Sequence, residues 1–147
     1  MKIGFTCSSF DLLHAGHILM LKECKDHCDT LVVGLQSDPS IDRSEKNPPI
    51  QSMFERFLQL DAIKYVDKIV IYDTESDLLA LLRYIRPDIR FIGSDWEDKK
   101  FTGKLFSKLH GKIFYNKRYG YSTSELRKRV ADDWYIKATE WEENEKY

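Results

Sequence analysis

The sequence predicts an α/β protein: one domain with a five-stranded parallel sheet and helices on both of its faces. Three observations lead to this prediction. Short apolar runs alternate along the chain with longer segments of helical periodicity. The 147 residues suffice for one domain with a sizeable core. No repeat or linker interrupts the alternation, which is typical of a parallel sheet covered by helices.

The first half of the chain holds two strands and two helices. Residues 2–7 and 30–35 are short apolar runs, as in buried strands. Residues 15–28 form an amphipathic run, and apolar side chains recur at helical spacing over residues 51–63. The polar stretch 38–49 ends in two prolines, which excludes regular structure there.

The second half continues the alternation. Three apolar runs predict strands over 68–72, 89–93 and 112–115. Amphipathic periodicity predicts helices over 75–85 and 103–110 and a last helix that starts at Ser122. We therefore expect one domain over residues 1–130, followed by a C-terminal helical extension or tail over residues 131–147.

Composition and charge exclude several classes of function. Apolar residues make up 42% and charged residues 32% of the chain, an ordinary balance for a soluble domain. The net charge of −1 gives no electrostatic reason to expect nucleic acid or an anionic membrane as a partner. We expect no signal peptide and no membrane-spanning helix, because no apolar run has the required context or length. Three cysteines cannot all pair, which favours reduced thiols and a cytoplasmic location.

The most informative motif follows the first strand. The run from His14 to His17 places two histidines three residues apart, on one face of a first helical turn. The start of a helix offers free N–H groups and the positive end of the helix dipole, and Gly16 leaves the backbone bare. This combination favours the binding of an anion, most simply a phosphate chain.

Other interpretations of these histidines compete with phosphate binding. A metal site needs more ligands, and Cys24, His27 and Cys28 lie more than a turn further along the helix. One histidine could instead cap the helix without taking part in any chemistry. A redox or metal protein built on the two cysteines and His27 is disfavoured, because no second ligand cluster has zinc spacing.

Polar loops follow the other strands at the edge where ligands of parallel α/β sheets bind. They span residues 36–38, 93–96 and 117–124. In the last of them, Lys117 and Arg118 precede Gly120, and Ser122 with Glu125 has the spacing of a capping box. The loop is therefore a candidate second anion site. A plain helix start with solvated charges is the alternative, and it would suffice by itself if the loop did not follow a strand end.

The segment Ser9-Phe10-Asp11-Leu12-Leu13-His14-Ala15-Gly16-His17 resembles the TFDLLHxGH segment of the HxGH nucleotidyltransferases. It is most similar to the small bacterial cytidylyltransferases, the glycerol-3-phosphate cytidylyltransferases above all, and the resemblance covers roughly residues 2–130. It implies a Rossmann-like fold in which His14 and His17 stabilise the pentacoordinate α-phosphorus of a nucleotide. Such chemistry depends on positioning and charge stabilisation more than on covalent help.

The same resemblance implies a nucleotide site. Gly120-Tyr121-Ser122-Thr123 is similar to a family stretch that closes over the β- and γ-phosphates, and Gly93-Ser94-Asp95-Trp96 is similar to a Gly-Asp-Asp-Trp loop. The chain departs from the family at Ser94, where an acid is usual, and at Ser8, where the family has glycine. Ser8 must either adopt the backbone conformation of that glycine or shift the phosphate slightly. The implied nucleotide-binding residues are Ser8, Ser9, Phe10, His14, His17, Gly93, Asp95, Lys117, Arg118, Tyr121, Ser122 and Thr123.

An acceptor site is implied as well. Arg56 and Lys64 match an arginine-bearing helix and an Arg-Tyr-Val-Asp stretch of the family, although a lone arginine on an amphipathic helix is by default a solvated charge. Asp11 could orient a histidine or contact the acceptor. The implied acceptor-binding residues are Asp11, Asp38, Lys46, Arg56, Lys64 and Trp96. The expected catalytic residues are His14, His17, Lys46 and Arg118.

The resemblance therefore implies an enzyme that transfers CMP from CTP to a small phosphate monoester such as glycerol 3-phosphate and releases pyrophosphate. Mg²⁺ is expected, held mainly by substrate phosphates and by no protein metal site, and the protein is expected to be a homodimer. Adenylyl transfer from ATP to a sugar phosphate or flavin mononucleotide is the alternative, because Ser94 leaves the base undecided. A non-catalytic nucleotide-binding module is a third hypothesis, which the presence of both histidines with the basic loop disfavours.

Overall fold

The computed structural model describes residues 1–145 and shows a five-stranded parallel sheet with helices on both faces. The strands are β1 (Ile3–Ser8), β2 (Thr30–Gln36), β3 (Lys68–Tyr72), β4 (Ile89–Gly93) and β5 (Lys112–Asn116). Their spatial order is β3-β2-β1-β4-β5, and every neighbouring pair is parallel. The predicted fold class, a single Rossmann-like α/β domain with five parallel strands, is confirmed.

Five α-helices accompany the strands. They are α1 (Ala15–Asp26), α2 (Met53–Asp61), α3 (Glu75–Ile85), α4 (Lys104–His110) and α5 (Thr123–Asn144). A short 3-10 turn, Ser94–Trp96, follows β4. Capping boxes at Ser52 and Thr74 start α2 and α3, and α3 ends at Arg86, whose φ of 48° breaks the helix just before a proline.

Two apolar cores form because alternate strand residues point to opposite faces of the sheet. On one face, Leu21 of α1 and Leu60 of α2 pack with Phe91 of β4. On the other face, Phe5 of β1 packs with Leu78 of α3, and α4 contributes to the same cluster. Helices α1 and α2 therefore cover one face, and α3 and α4 cover the other.

The strand order creates a crevice at the carboxyl ends of β1 and β4. From β1 the chain proceeds outward through β2 and β3, and it then returns to the other side of β1 as β4. The connections after β1 and β4 therefore leave in opposite directions, which opens a crevice where ligands of such sheets bind. The histidine motif lies directly after β1, at this crevice.

Helix α5 is packed less tightly than the other elements. It is 22 residues long and contains no buried residue, and Trp134 and Trp141 contact each other edge to face on its surface. The expected C-terminal extension is helical as far as the end of α5, and residues 146–147 of that extension lie outside the described residues. No helix in the described part of the chain is both long and apolar enough to cross a membrane.

Candidate active site

The two histidines of the motif cap α1 at the carboxyl end of β1. His14 is the N-cap residue, and its Nδ1 accepts a hydrogen bond from the Gly16 N–H at 3.0 Å. His17 Nδ1 in turn accepts the N–H of His14 at 3.2 Å, which gives a reciprocal capping box made of two imidazoles. The ring centroids lie 4.0 Å apart. Both histidines therefore cap the helix, and the cap leaves the other ring nitrogen of each available for a ligand.

The capping bonds fix the position of the proton on each ring. A ring nitrogen that accepts a hydrogen bond carries no proton, so each neutral imidazole has its proton on Nε2. Two of the backbone N–H groups expected to be free, those of His14 and Gly16, are used inside the cap. The donors that the motif offers to an anion therefore include two imidazole Nε2–H groups side by side.

Burial keeps both imidazoles neutral. Burial lowers the pKa of His17 to about 4, with a further lowering from His14 that the charge of Asp11 partly opposes. Burial also lowers the pKa of His14. At neutral pH both rings are therefore uncharged, and what they offer to a ligand is N–H dipoles rather than positive charge.

Two residues at the end of β1 and in the loop after it differ from expectation. Phe10 is a core residue, 1% exposed, and its ring packs against His17 with centroids 5.4 Å apart. Its side chain therefore supports the histidine and cannot contact a nucleotide. Ser8 belongs to the extended strand β1, so it needs no glycine-like backbone. The positive φ angles of this loop occur instead at Phe10 (49°) and Leu12 (52°).

The basic loop, residues 117–124, faces the histidines across a cavity of about 190 Å³. Predicted residues lining this cavity are His14, His17, Gly93, Lys117, Arg118, Tyr121, Ser122 and Thr123. Gly16 permits the close approach, because a Cβ there would lie 2.8 Å from the Cβ of Tyr121. Ser122 caps α5 by accepting the N–H of Glu125 at 3.1 Å, one of the two predicted capping-box bonds. The structure thus places both predicted anion sites around one cavity.

Arg118 crosses the cavity to the loop after β4. Its Nη2 and Nε donate to Asp95 Oδ1 at 2.6 and 3.1 Å. Gly93 lies beside this pair, and a Cβ there would meet Asp95 Oδ1 at 2.7 Å. Arg118 and Asp95, two residues predicted to bind the nucleotide, therefore bind each other in this structure. Their ion pair is exposed and of the kind that contributes little to stability.

A larger cleft of about 480 Å³ continues from His17 towards the face covered by α3. The predicted residues that line it are Ser8, Ser9, His17, Lys46, Gly93, Trp96 and Arg118. Four charged residues of this lining are absent from the sequence-based prediction: Arg43, Glu75, Arg90 and Lys100. The sequence carried one signal for them, because Arg90 is a charged residue within the apolar run of β4.

Arg56 has a structural role that was not predicted. It is 3% exposed, so the interpretation as a solvated charge is wrong. Its guanidinium donates to the carbonyl oxygens of Gln51, Ser9, Gln36 and Ser37 at 3.1, 2.9, 2.7 and 2.6 Å. Four of the five N–H donors are thereby used inside the protein, and the predicted binding of the acceptor phosphate by Arg56 is not supported.

Lys64 lies on the wrong side of the molecule for an acceptor ligand. It precedes β3 and is therefore at the amino end of the sheet, opposite the histidines. Its Nζ lies 5.2 Å from the ring centroid of Tyr65. Asp38 forms a local turn in which its Oδ1 accepts from the Ser40 N–H and hydroxyl at 2.9 and 2.6 Å, bonds that lower its pKa. The prediction is corrected for Lys64, whereas Asp38 stays a prediction.

Asp11 joins three parts of the chain. Its carboxylate accepts the N–H groups of Ile50 and Gln51 at 3.0 and 2.9 Å and the Nη2 of Arg127 at 2.9 Å. Burial alone would raise the pKa of Asp11, but these hydrogen bonds outweigh it and lower the pKa. Asp11 thus fixes α5 and the segment before α2 to the histidine loop, and it touches neither imidazole by a hydrogen bond.

The cysteines form no ligand cluster in the described part of the chain. Within residues 1–145 no three His, Cys, Asp or Glu side chains are placed to hold a metal ion. Cys24 is buried against Asn116, with its Sγ 3.7 Å from Oδ1, and burial raises its pKa to about 12. Cys28 Sγ contacts the carbonyl oxygen of Cys24 at 3.3 Å. Cys24 thus lies within the apolar core, and Cys28 packs against it.

Comparisons with known proteins agree with this geometry. Residues 5–129 match the family model described as cytidylyltransferase-like. The bifunctional protein HldE of Campylobacter jejuni is 38% identical over 133 residues, which cover 89% of this chain and 28% of that protein. HldE of Hyphomonas neptunium is 41% identical over 105 residues, or 70% of this chain and 21% of that protein. The chain thus spans about a quarter of the length of these relatives.

Solved structures show the same fold. The lipopolysaccharide core biosynthesis protein from Thermoplasma volcanium is 30% identical with a TM-score of 0.67, and the match covers 81% of this chain and 98% of that one. A pantoate-beta-alanine ligase from Francisella tularensis shares the fold at 18% identity and a TM-score of 0.58, over 81% of this chain and 60% of that one.

Proposed function

The chain belongs to the cytidylyltransferase-like family of nucleotidyltransferases, and on this basis we propose that it transfers a nucleoside monophosphate from a nucleoside triphosphate to a sugar phosphate. Pyrophosphate is the second product. The observation that carries the proposal is the pair of neutral imidazoles with free Nε2–H groups: both line the smaller cavity, and His17 also lines the larger cleft.

The proposed reaction needs little acid–base chemistry from the protein. An ionised oxygen of the acceptor phosphate attacks the α-phosphorus and forms a new P–O bond. The bond from the α-phosphorus to the bridging oxygen breaks, and pyrophosphate leaves with the electron pair. His14 and His17 donate their Nε2–H groups to the α-phosphate oxygens, where negative charge must be stabilised in the transition state.

The β- and γ-phosphates are proposed to occupy the smaller cavity. Lys117 and Arg118 supply positive charge there, and Ser122 and Thr123 supply hydroxyl groups at the start of α5, where the helix dipole favours an anion. Arg118 must exchange Asp95 for phosphate, which is inexpensive because the pair is exposed. Mg²⁺ would be held by the phosphates and would neutralise part of their charge, a role that fits a cavity poor in carboxylates.

The acceptor is proposed to lie in the larger cleft. Its volume of about 480 Å³ accommodates a phosphorylated sugar, and Lys46 and Trp96 line it together with His17. Gln36 and Tyr72 add groups that can bond sugar hydroxyls. The match to a lipopolysaccharide core biosynthesis protein also supports a sugar, since such cores are built from sugars. Glycerol 3-phosphate is the smaller acceptor that the sequence resemblance implies.

CTP is the nucleotide proposed first, because the loop after β4 resembles the cytidylyltransferase loop. ATP is a second candidate, and a specific observation favours it. Ser94 replaces one acid of that loop, and the remaining carboxylate, Asp95, accepts two hydrogen bonds from Arg118. Less of the loop is therefore available to accept a hydrogen bond from the amino group of cytosine.

A pyrophosphate-release screen tests the proposal. The four nucleoside triphosphates are assayed with Mg²⁺ against a panel of sugar phosphates and glycerol 3-phosphate. We expect release only when triphosphate and acceptor are both present, with CTP or ATP far ahead of the others. Calorimetric binding of a triphosphate without release for any acceptor would instead favour a non-catalytic nucleotide-binding module.

A further inference from the structure

Arg90 is a buried cation without a carboxylate partner in the described structure. It lies on β4 opposite Phe5 of β1 and is 3% exposed. Its Nη1 donates to the carbonyl oxygen of Thr102 at 3.2 Å, and its Nη2 contacts Cys7 Sγ at 3.8 Å. Its Nε has no hydrogen-bond partner. No ion pair found within residues 1–145 includes Arg90.

Packing alone does not account for this guanidinium. The ring centroids of Phe5 and Phe101 lie 5.6 and 5.7 Å from its Cζ, a distance at which cation–π attraction contributes. Aromatic rings leave the in-plane N–H donors without acceptors, and a buried cation is costly unless paired and hydrogen-bonded. Arg90 lines the larger cleft, so an anion in the cleft can supply what the protein lacks.

A second arginine lies at the same end of the cleft. Arg43 also has an Nε without a hydrogen-bond partner, but it forms an ion pair with Glu75 Oε1 at 3.5 Å, and its Nη2 donates to Gln36 Oε1 at 3.4 Å. Lys46 and Lys100 line the cleft too, whereas among residues 1–145 Glu75 is the one carboxylate of the lining. That carboxylate also accepts a hydrogen bond from the Thr102 hydroxyl at 2.7 Å. The cleft lining therefore carries an excess of positive charge.

The positive end of the cleft is separate from the site of phosphate attack. Arg90 belongs to the face of the sheet covered by α3, whereas His17 belongs to α1 on the opposite face. Arg90 also lies three residues before Gly93, the last residue of β4, which is roughly 10 Å along a strand. An acceptor that presents its phosphate beside His17 therefore meets Arg90 with another part of the molecule.

We propose that the acceptor carries a second anionic group, a phosphate or a carboxylate remote from the attacking phosphate, and that Arg90 and Arg43 bind this group. The planar guanidinium forms paired hydrogen bonds with either anion. The substrate class is then a sugar bisphosphate or a phosphorylated sugar acid. The identification of this ligand as the acceptor rests on the proposed function, whereas the anion site itself rests on buried Arg90 and on the partly exposed Arg43 that lines the same cleft.

Calorimetry without nucleotide tests the site directly. Glucose 1-phosphate, glucose 1,6-bisphosphate and glucuronic acid 1-phosphate are titrated into the wild-type protein, Arg90→Met, Arg90→Lys and the control Arg83→Met, which changes an exposed arginine of α3. We expect the wild type and the control to bind one of the two-anion probes about tenfold or more tightly than glucose 1-phosphate. Arg90→Met should lose this preference, and Arg90→Lys should keep part of it.

The outcomes separate the two proposals. Preference for the bisphosphate identifies a phosphate as the second anion, and preference for the sugar acid identifies a carboxylate. Equal or absent binding of the three probes by the wild type, or an unchanged preference in Arg90→Met, overturns the anion site. If Arg90→Met does not fold, Arg90→Lys and Arg43→Met decide by the same ratio. If the preference is lost in the variants but no triphosphate yields pyrophosphate, the anion site stands and the proposed transfer fails.

Discussion

Arg56 and Arg90 are both 3% exposed, yet their surroundings differ in kind. The guanidinium of Arg56 donates to four main-chain carbonyl oxygens. That of Arg90 meets one carbonyl oxygen, a thiol and two phenylalanine rings, and it lines an open cleft. Burial alone therefore does not separate a structural arginine from a ligand-binding one. The number of satisfied donors separates them.

The difference also shows how the site is assembled. The four acceptors of Arg56 come from the loop after β1, from the end of β2 and from the segment before α2. One side chain thereby holds together the loops that surround the histidines. Arg90 holds together much less of the chain, which is consistent with a site that awaits a ligand.

The largest expected effect is on folding, in Arg56→Met. The substitution leaves four carbonyl oxygens without their donor, so we expect the free energy of unfolding to fall by about 3–5 kcal/mol. Arg90→Met, which removes a poorly satisfied cation, should change it by less than about 1 kcal/mol. Urea denaturation of both variants measures the contrast. Equal losses in the two variants would mean that satisfied donors do not distinguish the two arginines.

The sequence predicted the sheet well because its signals are local. Apolar runs, helical periodicity and the end of α3 before Pro87 all depend on neighbouring residues. The partners of Arg56 could not be predicted, since they come from segments up to 47 residues away. The wrong prediction of Lys64 as an acceptor-binding residue was avoidable, because a residue that precedes a strand lies at the amino end of the sheet. Arg90 was visible as a charge in an apolar strand, but the side of the sheet it faces depends on register.

The second prediction concerns a residue that should affect rate rather than folding. His17→Ala removes one of the two Nε2–H donors, so we expect the turnover rate to fall by about 10²–10³-fold. The lost capping bond should cost only about 1 kcal/mol of stability. Pyrophosphate release and urea denaturation give the two values, with His110→Ala as an exposed control. A rate within threefold of the wild type would remove His17 from the proposed mechanism.

The third prediction uses pH to test the burial of His17. In the unfolded chain His17 has its ordinary pKa of 6.5, whereas in the folded protein burial lowers its pKa to about 4. Stability is therefore complete above pH 6.5 and declines as the pH falls towards 4, by about 3 kcal/mol at most. The lowered pKa of Asp11 affects stability only at lower pH. Its contribution is lost as the pH falls below the ordinary value of 3.8, outside the range in which His17 acts.

The variant His17→Gln isolates the pH-dependent contribution of His17 to stability. Glutamine at this position preserves a capping side chain but has no proton to gain in this range. We expect urea denaturation between pH 7 and 4.5 to show a shallower loss of stability in His17→Gln than in the wild type. Parallel curves for the two proteins would show that His17 titrates in the folded state much as it does in the unfolded chain.

The smallest expected effect on stability comes from replacing Lys117 and Arg118. Lys117 and Arg118 are both solvent-exposed, and Arg118 is held by the single carboxylate of Asp95. Replacing both by alanine should leave stability within about 0.5 kcal/mol of the wild type. Triphosphate affinity should fall by about tenfold or more, because hydrogen bonds from charged donors to phosphate are strong. The affinity for the corresponding monophosphate should change little, since only the β- and γ-phosphates are proposed to reach this loop.

Calorimetry with CTP, CMP, ATP and AMP measures both ratios, and Lys108→Ala on α4 serves as the exposed control. An equal weakening of triphosphate and monophosphate would place the loop at the α-phosphate, and an unchanged affinity for both would make these two residues solvated surface charges.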